Sequence, residues 1–383
     1  MSLLKTQLHH WHSSRAKMVP FAGFEMPVVY NSPSNISKEH LSVRNSAGLF
    51  DVSHMGRMIV SGEDAVKFLD LLIPRNLSIL PLNKVAYCYF LNERGGFRDD
   101  ITVAQIEENL YLITYNAGNR KKIWLWVKEF EALIKSISEM KFSIENISDS
   151  TAMFAFQGPD APIITKNLFG EFPGPWRSSY ASYQGIKLLI MGSGYTGEAG
   201  CEIVISDSSN DDPSATIKVW EDILENKVNE SILPCGLASR DTLRLEAGMP
   251  LYGNDIEENV QALQTGLVFP ALVNLEKKFF FGKSAIENNL KNTELPKRVG
   301  LVTLTRGRSP RQDMNIKLNN KIIGKVTSGT FSPLLKLGIG MGYIINKENV
   351  NEVTLEAETY KIQAKIANFP LFDSDKYGSK RKS

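Results

Sequence analysis

Apolar residues recur along the chain with two alternating periods, one typical of helices and one typical of strands. Apolar positions three and four residues apart predict amphipathic helices. Short runs that alternate, or that are rich in β-branched and aromatic residues, predict strands. The predicted helices span residues 61–72, 119–137, 211–227 and 238–248, and the predicted strands include residues 87–92, 99–105, 109–118, 153–157, 186–191 and 198–206.

Beyond about residue 297 the sequence changes to strand-like segments separated by Gly and Asn turns. In the last of these segments the alternation runs through Val353 and Leu355 and resumes in the opposite phase at Tyr360. A shift of one residue turns every side chain of a strand to the other face. The change of phase therefore predicts a hairpin bend over residues 356–359, within a small all-β barrel or sandwich.

Length and charge narrow the class of protein. The 383 residues are enough for two or three domains. Lys and Arg total 44 against 42 Asp and Glu, a net charge of +2, whereas nucleic-acid-binding proteins concentrate basic residues on one face. The one basic cluster, "KYGSKRKS" at the C-terminal end of the sequence, is expected to be a solvated tail.

Cysteine and histidine are sparse. Three cysteines lie far apart in sequence and only five histidines occur, so we expect neither a disulfide framework nor a metal site. Reduced cysteines fit the cytoplasm. We see no secretory signal, and no uninterrupted apolar run approaches the roughly 20 residues of a membrane span.

The segment "NERGGFRDDITV" carries the most distinctive candidate chemistry. Its double glycine predicts a tight turn, after which Asp99 and Asp100 open a strand. Adjacent strand residues point to opposite faces, so the two carboxylates are not expected to act as a pair at one site. Asp100 shares a face with Thr102, and this face is a reasonable route for a carboxylate into a pocket.

The segment "GSGYTG", from Gly192 to Gly197, has the spacing of a nucleotide-binding loop. That interpretation needs a strand before the glycines and a helix after them. A strand precedes them, but the residues that follow alternate like another strand, so a hairpin or bulge is predicted and a nicotinamide oxidoreductase is not favoured. Glu202 lies in this second strand, where it either faces water or has a specific partner.

Arg240 and Arg244 are spaced to share one face of a short predicted helix. They form either a lattice of ion pairs within the helix or a fork for a carboxylate or planar heterocycle. Spacing alone favours the ion pairs. His54 is expected to be a hydrogen-bonded structural residue, and Asn116, between a strand and a helix, is expected to be a cap.

Segments spread over nearly the whole chain resemble the T-protein of the glycine cleavage system. They include "FAGFEMPVVY", "FDVSHMG", "GGFRDDITV", "GYTGEAGCEI", "CGLASRDTLRLEAGMPLYGNDIEE" and "TSGTFSP", in the order of that family. The resemblance implies an α+β fold with a three-domain, cloverleaf-like arrangement. Its first two domains would be discontinuous: residues 1–55 with 140–245, residues 56–139 with 246–280, and a C-terminal β-barrel over residues 281–383.

The resemblance also implies a function. Members of the family are tetrahydrofolate-dependent aminomethyltransferases, which take an aminomethyl group from the lipoyl arm of H-protein, release ammonia and form 5,10-methylenetetrahydrofolate without a metal. A bacterial cytoplasm is the expected location, with the mitochondrial matrix as the second choice. The implied catalytic residue is Asp100, and the implied substrate- and folate-binding residues are Glu202, Arg240, Tyr195, Met55, Tyr87, Asn116, Tyr252 and Tyr377.

Some residues depart from the family pattern. Arg98 stands where an apolar residue is usual, and it could lower the pKa of a neighbouring carboxylate or simply be exposed. Gln261 and Gln264 replace other expected residues. Two relatives of the family are alternatives: a folate-dependent demethylase of a small methylated compound, and a folate-binding iron–sulfur assembly factor, whose cysteine motif is missing from residues 276–286.

Overall fold

The strands form a six-stranded sheet, a five-stranded sheet, a closed six-stranded barrel and a two-stranded ribbon. The computed structural model describes residues 2–226, 232–267, 271–345 and 350–382. The strands are β1 (Ala16–Phe21), β2 (Phe24–Tyr30), β3 (Gly48–Asp51), β4 (Gly56–Ser61), β5 (Val85–Leu91), β6 (Phe97–Glu107), β7 (Leu110–Tyr115), β8 (Ser143–Asn146), β9 (Ala152–Gln157), β10 (Ser178–Tyr183), β11 (Ile186–Met191), β12 (Gly200–Ile205), β13 (Leu233–Pro234), β14 (Lys297–Thr303), β15 (Asn315–Leu318), β16 (Lys321–Ser332), β17 (Leu337–Ile344), β18 (Glu352–Glu356) and β19 (Lys361–Ala367). The α-helices are α1 (His9–Ser13), α2 (Ile36–Asn45), α3 (Ala65–Leu72), α4 (Arg120–Ile137), α5 (Ala161–Phe169), α6 (Ser214–Glu225), α7 (Leu237–Ala247) and α8 (Lys283–Asn289).

The predicted helices are confirmed as α3, α4, α6 and α7. For α6, the end of the predicted range, residue 227, lies outside the described residues. α7 ends at Ala247 because Gly248 follows in a left-handed conformation with φ 80°. This conformation is common for glycine after a helix and strained for other residues.

The six-stranded sheet has the order β10-β11-β12-β9-β3-β13. β11 and β12 pair antiparallel on either side of the "GSGYTG" loop, with Met191 opposite Glu202. The prediction that these glycines connect two strands, rather than open a nucleotide-binding helix, is confirmed. Glu202 is consequently held at the start of a rigid strand.

The five-stranded sheet has the order β5-β6-β7-β4-β8. β5 and β6 form the predicted hairpin around the double glycine, with Tyr89 opposite Asp100. β8 pairs with β4, although the predicted division at residue 140 assigned it to the first domain. By its backbone pairing, β8 thus groups with residues that were predicted to belong to the second domain. The predicted domain limits stay predictions.

Buried apolar side chains join the two sheets face to face. Val85 and Ala104 of the five-stranded sheet pack in one cluster with Phe50, Met153 and Leu189 of the six-stranded sheet. α7 packs against α2 and β2 on one side and against β16 and β17 of the barrel on the other. α7 therefore lies where all three parts meet.

The C-terminal strands form a closed barrel in the order β14-β17-β16-β15-β18-β19, and β19 pairs back onto β14. This settles the choice between barrel and sandwich. The predicted bend between β18 and β19 is confirmed by a turn in which the Ala357 amide donates to the Tyr360 carbonyl at 2.9 Å.

After β19 the chain folds back over the six-stranded sheet instead of extending into solvent. The Leu371 amide donates to the Glu246 carbonyl at 2.7 Å. The Gly378 amide donates to Glu198 Oε1 at 3.0 Å, and the Arg381 guanidinium forms an ion pair with the same carboxylate. The expectation of a solvated tail is wrong for Gly378 and Arg381, because the buried Glu198 carboxylate needs charged and polar partners. Lys376, Lys380 and Lys382 are exposed, as expected. Among the described residues, no helix is long and apolar enough to cross a membrane.

Candidate active site

A cavity of about 810 Å³ lies where the two sheets, α7 and the barrel meet. Because these elements come from distant parts of the sequence, each contributes only a few side chains to its wall. Eight of the nine candidate site residues named from the sequence are in that wall: Asp100, Glu202, Arg240, Tyr195, Met55, Tyr87, Asn116 and Tyr252.

Asp100 is held at the cavity wall by two hydrogen bonds to its carboxylate. The Tyr87 hydroxyl donates to Oδ2 at 2.9 Å, and the Asn116 side-chain amide donates to Oδ1 at 2.8 Å. Burial raises the pKa of the Asp100 carboxyl from its ordinary value to about 6, although both hydrogen bonds act in the opposite direction. The group is therefore mainly an anion at neutral pH.

Asp99 is fully buried and serves as a structural acceptor. The Asn119 amide donates to its Oδ1 at 2.7 Å, and the Asn116 backbone amide donates to its Oδ2 at 3.1 Å. Asn116 Nδ2 also lies 2.9 Å from Asp99 Oδ1, so one amide nitrogen contacts both carboxylates. Burial and the charge of Asp100 together raise the pKa of Asp99.

The prediction was that these aspartates do not act as a pair at one site, and only one of them lines the cavity. Strand alternation does place only Asp100 in the cavity wall, but Asn116 reaches both side chains from the end of the adjacent strand β7. The side chain of Asn116 makes no helix-cap hydrogen bond, which also corrects the predicted cap. Its side-chain amide donates hydrogen bonds to the two carboxylates instead.

Glu202 is buried and has a specific partner, which decides between the two interpretations of this residue. The Ser193 hydroxyl donates to Glu202 Oε2 at 2.5 Å. Burial raises the pKa of the Glu202 carboxyl, while Ser193 and the charge of Arg240 act to lower it. Oε1 has no such bond among the described residues and is available to a ligand.

Arg240 lies near Glu202 with unused hydrogen-bonding capacity. Its Nη1 is enclosed and has no hydrogen-bond partner among the described residues. The guanidinium carbon lies 4.8 Å from the centre of the Tyr195 ring, and the Tyr195 hydroxyl donates to the Pro250 carbonyl at 2.5 Å. Burial lowers the pKa of Arg240. An enclosed guanidinium nitrogen without a partner at a cavity wall favours a polar ligand.

Arg244, one turn further along α7, is paired within the protein. It forms ion pairs with Asp241 at 2.8 Å and Asp255 at 2.5 Å, and donates to the Ser328 hydroxyl of the barrel at 2.9 Å. The two interpretations made from the spacing thus apply to different residues. Arg244 belongs to an ion-pair network, and Arg240 faces the cavity.

Tyr252 and Met55 complete the predicted set in the wall. Lys122 donates to the Tyr252 hydroxyl at 2.7 Å, which fixes the ring at the edge of the cavity. Met55 is half-buried and supplies apolar surface next to His54. Such surface suits the flat face of a heterocycle.

His54 contradicts its predicted role as a hydrogen-bonded structural residue. Its ring lines the cavity, it is 4% exposed, and its Nδ1 is enclosed without a partner among the described residues. The sequence pattern could not reveal this, because the absence of a partner depends on side chains distant in sequence.

Tyr377 is the one candidate that is not in the cavity wall, and its predicted approach to the substrate stays a prediction. It lies in the segment that folds back onto Glu198. Phe369 and Pro370 are the C-terminal residues that line the cavity. Phe369 packs directly on Gly248, where an added Cβ would come within 2.2 Å of the ring. The only sequence signal for this contact is the glycine itself.

Two further wall residues were missed. Arg298 of the barrel lines the cavity, with its guanidinium carbon 5.1 Å from the centre of the Phe369 ring. Trp176 also lines it and adopts φ 57°, a left-handed conformation that is unusual for a bulky residue. Both come from segments whose hydrophobic pattern is unremarkable.

The residues that depart from the family pattern lie away from the chemistry. Arg98 forms an ion pair with Glu93 at 3.2 Å and stacks 5.1 Å from the Trp126 ring. The pKa values of both aspartates are raised, so lowering by Arg98 is not the dominant influence on either. Gln261 and Gln264 cap a short 3₁₀ helix through their backbone and side-chain amides.

Comparisons with known proteins agree with this architecture. The GCVT N-terminal domain matches residues 8–277, and the glycine cleavage T-protein C-terminal barrel domain matches residues 297–373. A probable aminomethyltransferase of Pyrococcus horikoshii is 37% identical over 98% of each chain. The aminomethyltransferase of Bacillus subtilis is 36% identical over 93% of this chain and 95% of its own.

A solved structure extends the match to the fold. The crystal structure of glycine cleavage system aminomethyltransferase T from Bartonella henselae superimposes with a TM-score of 0.85 at 31% identity, covering 97% of this chain and 98% of its own. Sequence and structure thus agree along both the two-sheet part and the barrel. The chain belongs to the glycine cleavage T-protein family of aminomethyltransferases.

Proposed function

We propose that the protein transfers a one-carbon unit from aminomethyl-dihydrolipoyl H-protein to tetrahydrofolate. The C–S and C–N bonds of the S–CH₂–NH₂ group break, and two bonds from the carbon to N5 and N10 of the folate form. The two protons displaced from N5 and N10 balance the thiol and the ammonia that leave. The products are dihydrolipoyl H-protein, ammonia and 5,10-methylenetetrahydrofolate.

The Asp100 carboxylate in the cavity wall is the observation that carries this proposal. The transferred carbon becomes electron-poor as its bonds to sulfur or nitrogen break, and a fixed anion stabilises that charge most where water is excluded. Tyr87 and Asn116 hold the carboxylate before the substrate arrives, so little reorganisation is needed. Asp100 can also orient the folate nitrogen that attacks.

Glu202 and Arg240 support the assignment of tetrahydrofolate as the acceptor. A pterin presents adjacent N–H groups along one edge, which match the two oxygens of a carboxylate. Glu202 keeps Oε1 available, and Arg240 keeps an enclosed N–H without a partner. The cavity of about 810 Å³ falls in the usual size range of small-molecule sites. The donor set therefore fits a folate.

The proposed location is the cytoplasm. Cys88, Cys201 and Cys235 are buried and are not joined in disulfides. Unpaired cysteines are usual in a reducing compartment. H-protein, with its lipoyl arm, is the proposed partner there.

The test uses the donor that separates this reaction from its relatives. Purified protein is mixed with tetrahydrofolate and aminomethyl-loaded H-protein, and release of ammonia is followed together with formation of methylenetetrahydrofolate. Unlipoylated H-protein is the matched control. Ammonia release at the background rate would contradict the proposal even if tetrahydrofolate binds. If the protein instead used a small N-methylated amine as the donor, it would be a demethylase.

A further inference from the structure

His54 is a buried side chain of the cavity wall whose hydrogen-bonding capacity is not used by any described residue. Its ring meets the rings of Phe21 and Phe24 edge to face, at centroid distances of 5.7 and 6.1 Å, which fixes its plane. Nδ1 is enclosed without a partner. The residue lines the cavity, and Nε2, unlike Nδ1, is not one of the fully enclosed atoms. Nε2 is therefore the ring nitrogen that a bound molecule can reach.

The imidazole is neutral at physiological pH. Burial, together with the positive charges of Arg240, Arg57 and Arg120, lowers the pKa of His54 to about 4, and the nearby Asp51 carboxylate offsets only part of this effect. A neutral imidazole has one N–H donor and one lone pair. Either Nδ1 or Nε2 carries the single proton of this neutral ring.

The enclosed position of Nδ1 decides the tautomer. Buried N–H groups without an acceptor are rare in proteins, whereas under-used acceptors are tolerated more often. The lone pair therefore belongs on Nδ1, and the N–H belongs on Nε2, where a bound molecule can accept it. Arg240, which lines the same cavity, adds a positive charge to the wall, which favours an electron-rich ligand atom.

We propose that His54 donates a hydrogen bond from Nε2 to an acceptor atom on the pterin ring of bound tetrahydrofolate. This inference rests on the proposed function. The pterin is chosen because His54, Arg240 and Glu202 line the same cavity. Glu202 accepts from the N–H edge of a pterin, and the ring also bears a carbonyl oxygen and an unprotonated nitrogen that need donors. His54 supplies such a donor and thereby contributes to folate specificity.

Nitrogen-15 NMR tests the tautomer directly. The sequence has five histidines, so the spectrum of His54→Gln assigns the His54 signals by their disappearance. We expect the neutral Nε2–H form throughout about pH 5.5–8.5, and a shift of the Nε2 resonance when tetrahydrofolate is added. An Nδ1–H tautomer, or an unchanged Nε2 resonance at saturating tetrahydrofolate, would overturn the proposal.

Calorimetric binding of tetrahydrofolate provides the second test. His54→Phe keeps an aromatic ring but removes the donor, and we expect affinity to fall about tenfold. His54→Gln places an amide N–H near the position of Nε2 and should stay within about threefold of the natural protein. The loss in His54→Phe should appear in KM for tetrahydrofolate and leave kcat nearly unchanged.

The two variants separate this assignment from the proposed function. If the natural protein binds tetrahydrofolate and turns over, but His54→Phe binds equally well, only the role of His54 is wrong. If the natural protein does not bind tetrahydrofolate, both are wrong. Equal loss of affinity in His54→Gln and His54→Phe would also count against a donor. Gln keeps an N–H donor and Phe does not, so equal losses would mean that the imidazole matters for another reason.

Discussion

Arg240 and Arg244 lie one turn apart on α7, yet their surroundings differ completely. Arg244 donates hydrogen bonds to Asp241, Asp255 and Ser328. Arg240 keeps an enclosed Nη1 that no described residue satisfies. Arg244 is thus a buried charge that is paired within the protein, and removing one partner of such a pair is destabilising. Arg240 is an unpaired charge at a cavity and is available to a ligand.

The adjacent aspartates repeat the contrast on a strand. Asp99 accepts three hydrogen bonds from Asn116 and Asn119, and it fixes the end of β6 against the next strand. Asp100 accepts bonds from Tyr87 and Asn116 but stays at the cavity surface. In both pairs, two nearby residues of one type differ in the same way: one is bonded within the fold, and the other lines the cavity.

Arg244→Met should produce the largest change, in stability. Removing one partner of a buried ion pair leaves Asp255 uncompensated, and we expect the free energy of unfolding to fall by about 3–5 kcal/mol. Urea denaturation measures it. Arg240→Met is the matched control, with the same replacement on the same helix and no expected loss of stability. Similar destabilisation by both variants would break the comparison.

Asp100→Asn should lower kcat by about 10²–10³-fold, because the neutral amide cannot stabilise a positive carbon. Affinity for tetrahydrofolate should change little, since shape and most contacts remain. Ammonia release and calorimetric binding measured on one preparation check both points. Unchanged turnover would remove Asp100 from its proposed role.

Arg240→Met should weaken tetrahydrofolate binding by about 10–100-fold, the range for loss of a hydrogen bond to a charged group. The expected signature is a higher KM for tetrahydrofolate with a preserved unfolding midpoint. Binding at the natural affinity would show that the unpaired N–H serves no ligand.

The pH dependence of kcat should show an acid limb near the pKa of Asp100, which burial raises to about 6. The anion is the active form, so activity is present above this pH and is lost as pH falls through it. Tyr87→Phe removes a hydrogen bond that lowers the pKa of Asp100. The acid limb of this variant should therefore move to higher pH, so that kcat falls more at pH 6.5 than at pH 8.5. An acid limb that stays in place would argue against Asp100 as the titrating group.

Arg98→Gln should have the smallest effect. Its ion pair with Glu93 is partly exposed, and such pairs contribute about 0–1 kcal/mol. Turnover should stay within about twofold of the natural value. A large loss would mean that Arg98 affects the aspartates after all.

Local periodicity was sufficient to predict most elements and the separation of Asp100 from Asp99. The β5–β6 hairpin, the glycine turn before β12 and the phase change before β19 are all short-range features, and each is present. The family resemblance added the residues that share the cavity wall. These parts could be predicted because strand alternation and turn chemistry depend on neighbours in sequence.

The features that could not be predicted depend on distant contacts. Asn116 reaches two carboxylates only after β6 and β7 pair. His54 lacks a hydrogen-bond partner only because of what surrounds it in the fold, and Phe369 meets Gly248 across more than a hundred residues of sequence. Periodicity carries no information about such pairs.

The position of Phe369 and Pro370 in the cavity wall has a consequence for biosynthesis. Domains fold during synthesis from the N-terminal side, so both sheets can form before these residues exist. A ligand stabilises a protein only through a site that is already built. A chain released before residue 370 would therefore lack part of the cavity, and a ligand of this cavity could protect only molecules whose synthesis has passed that point.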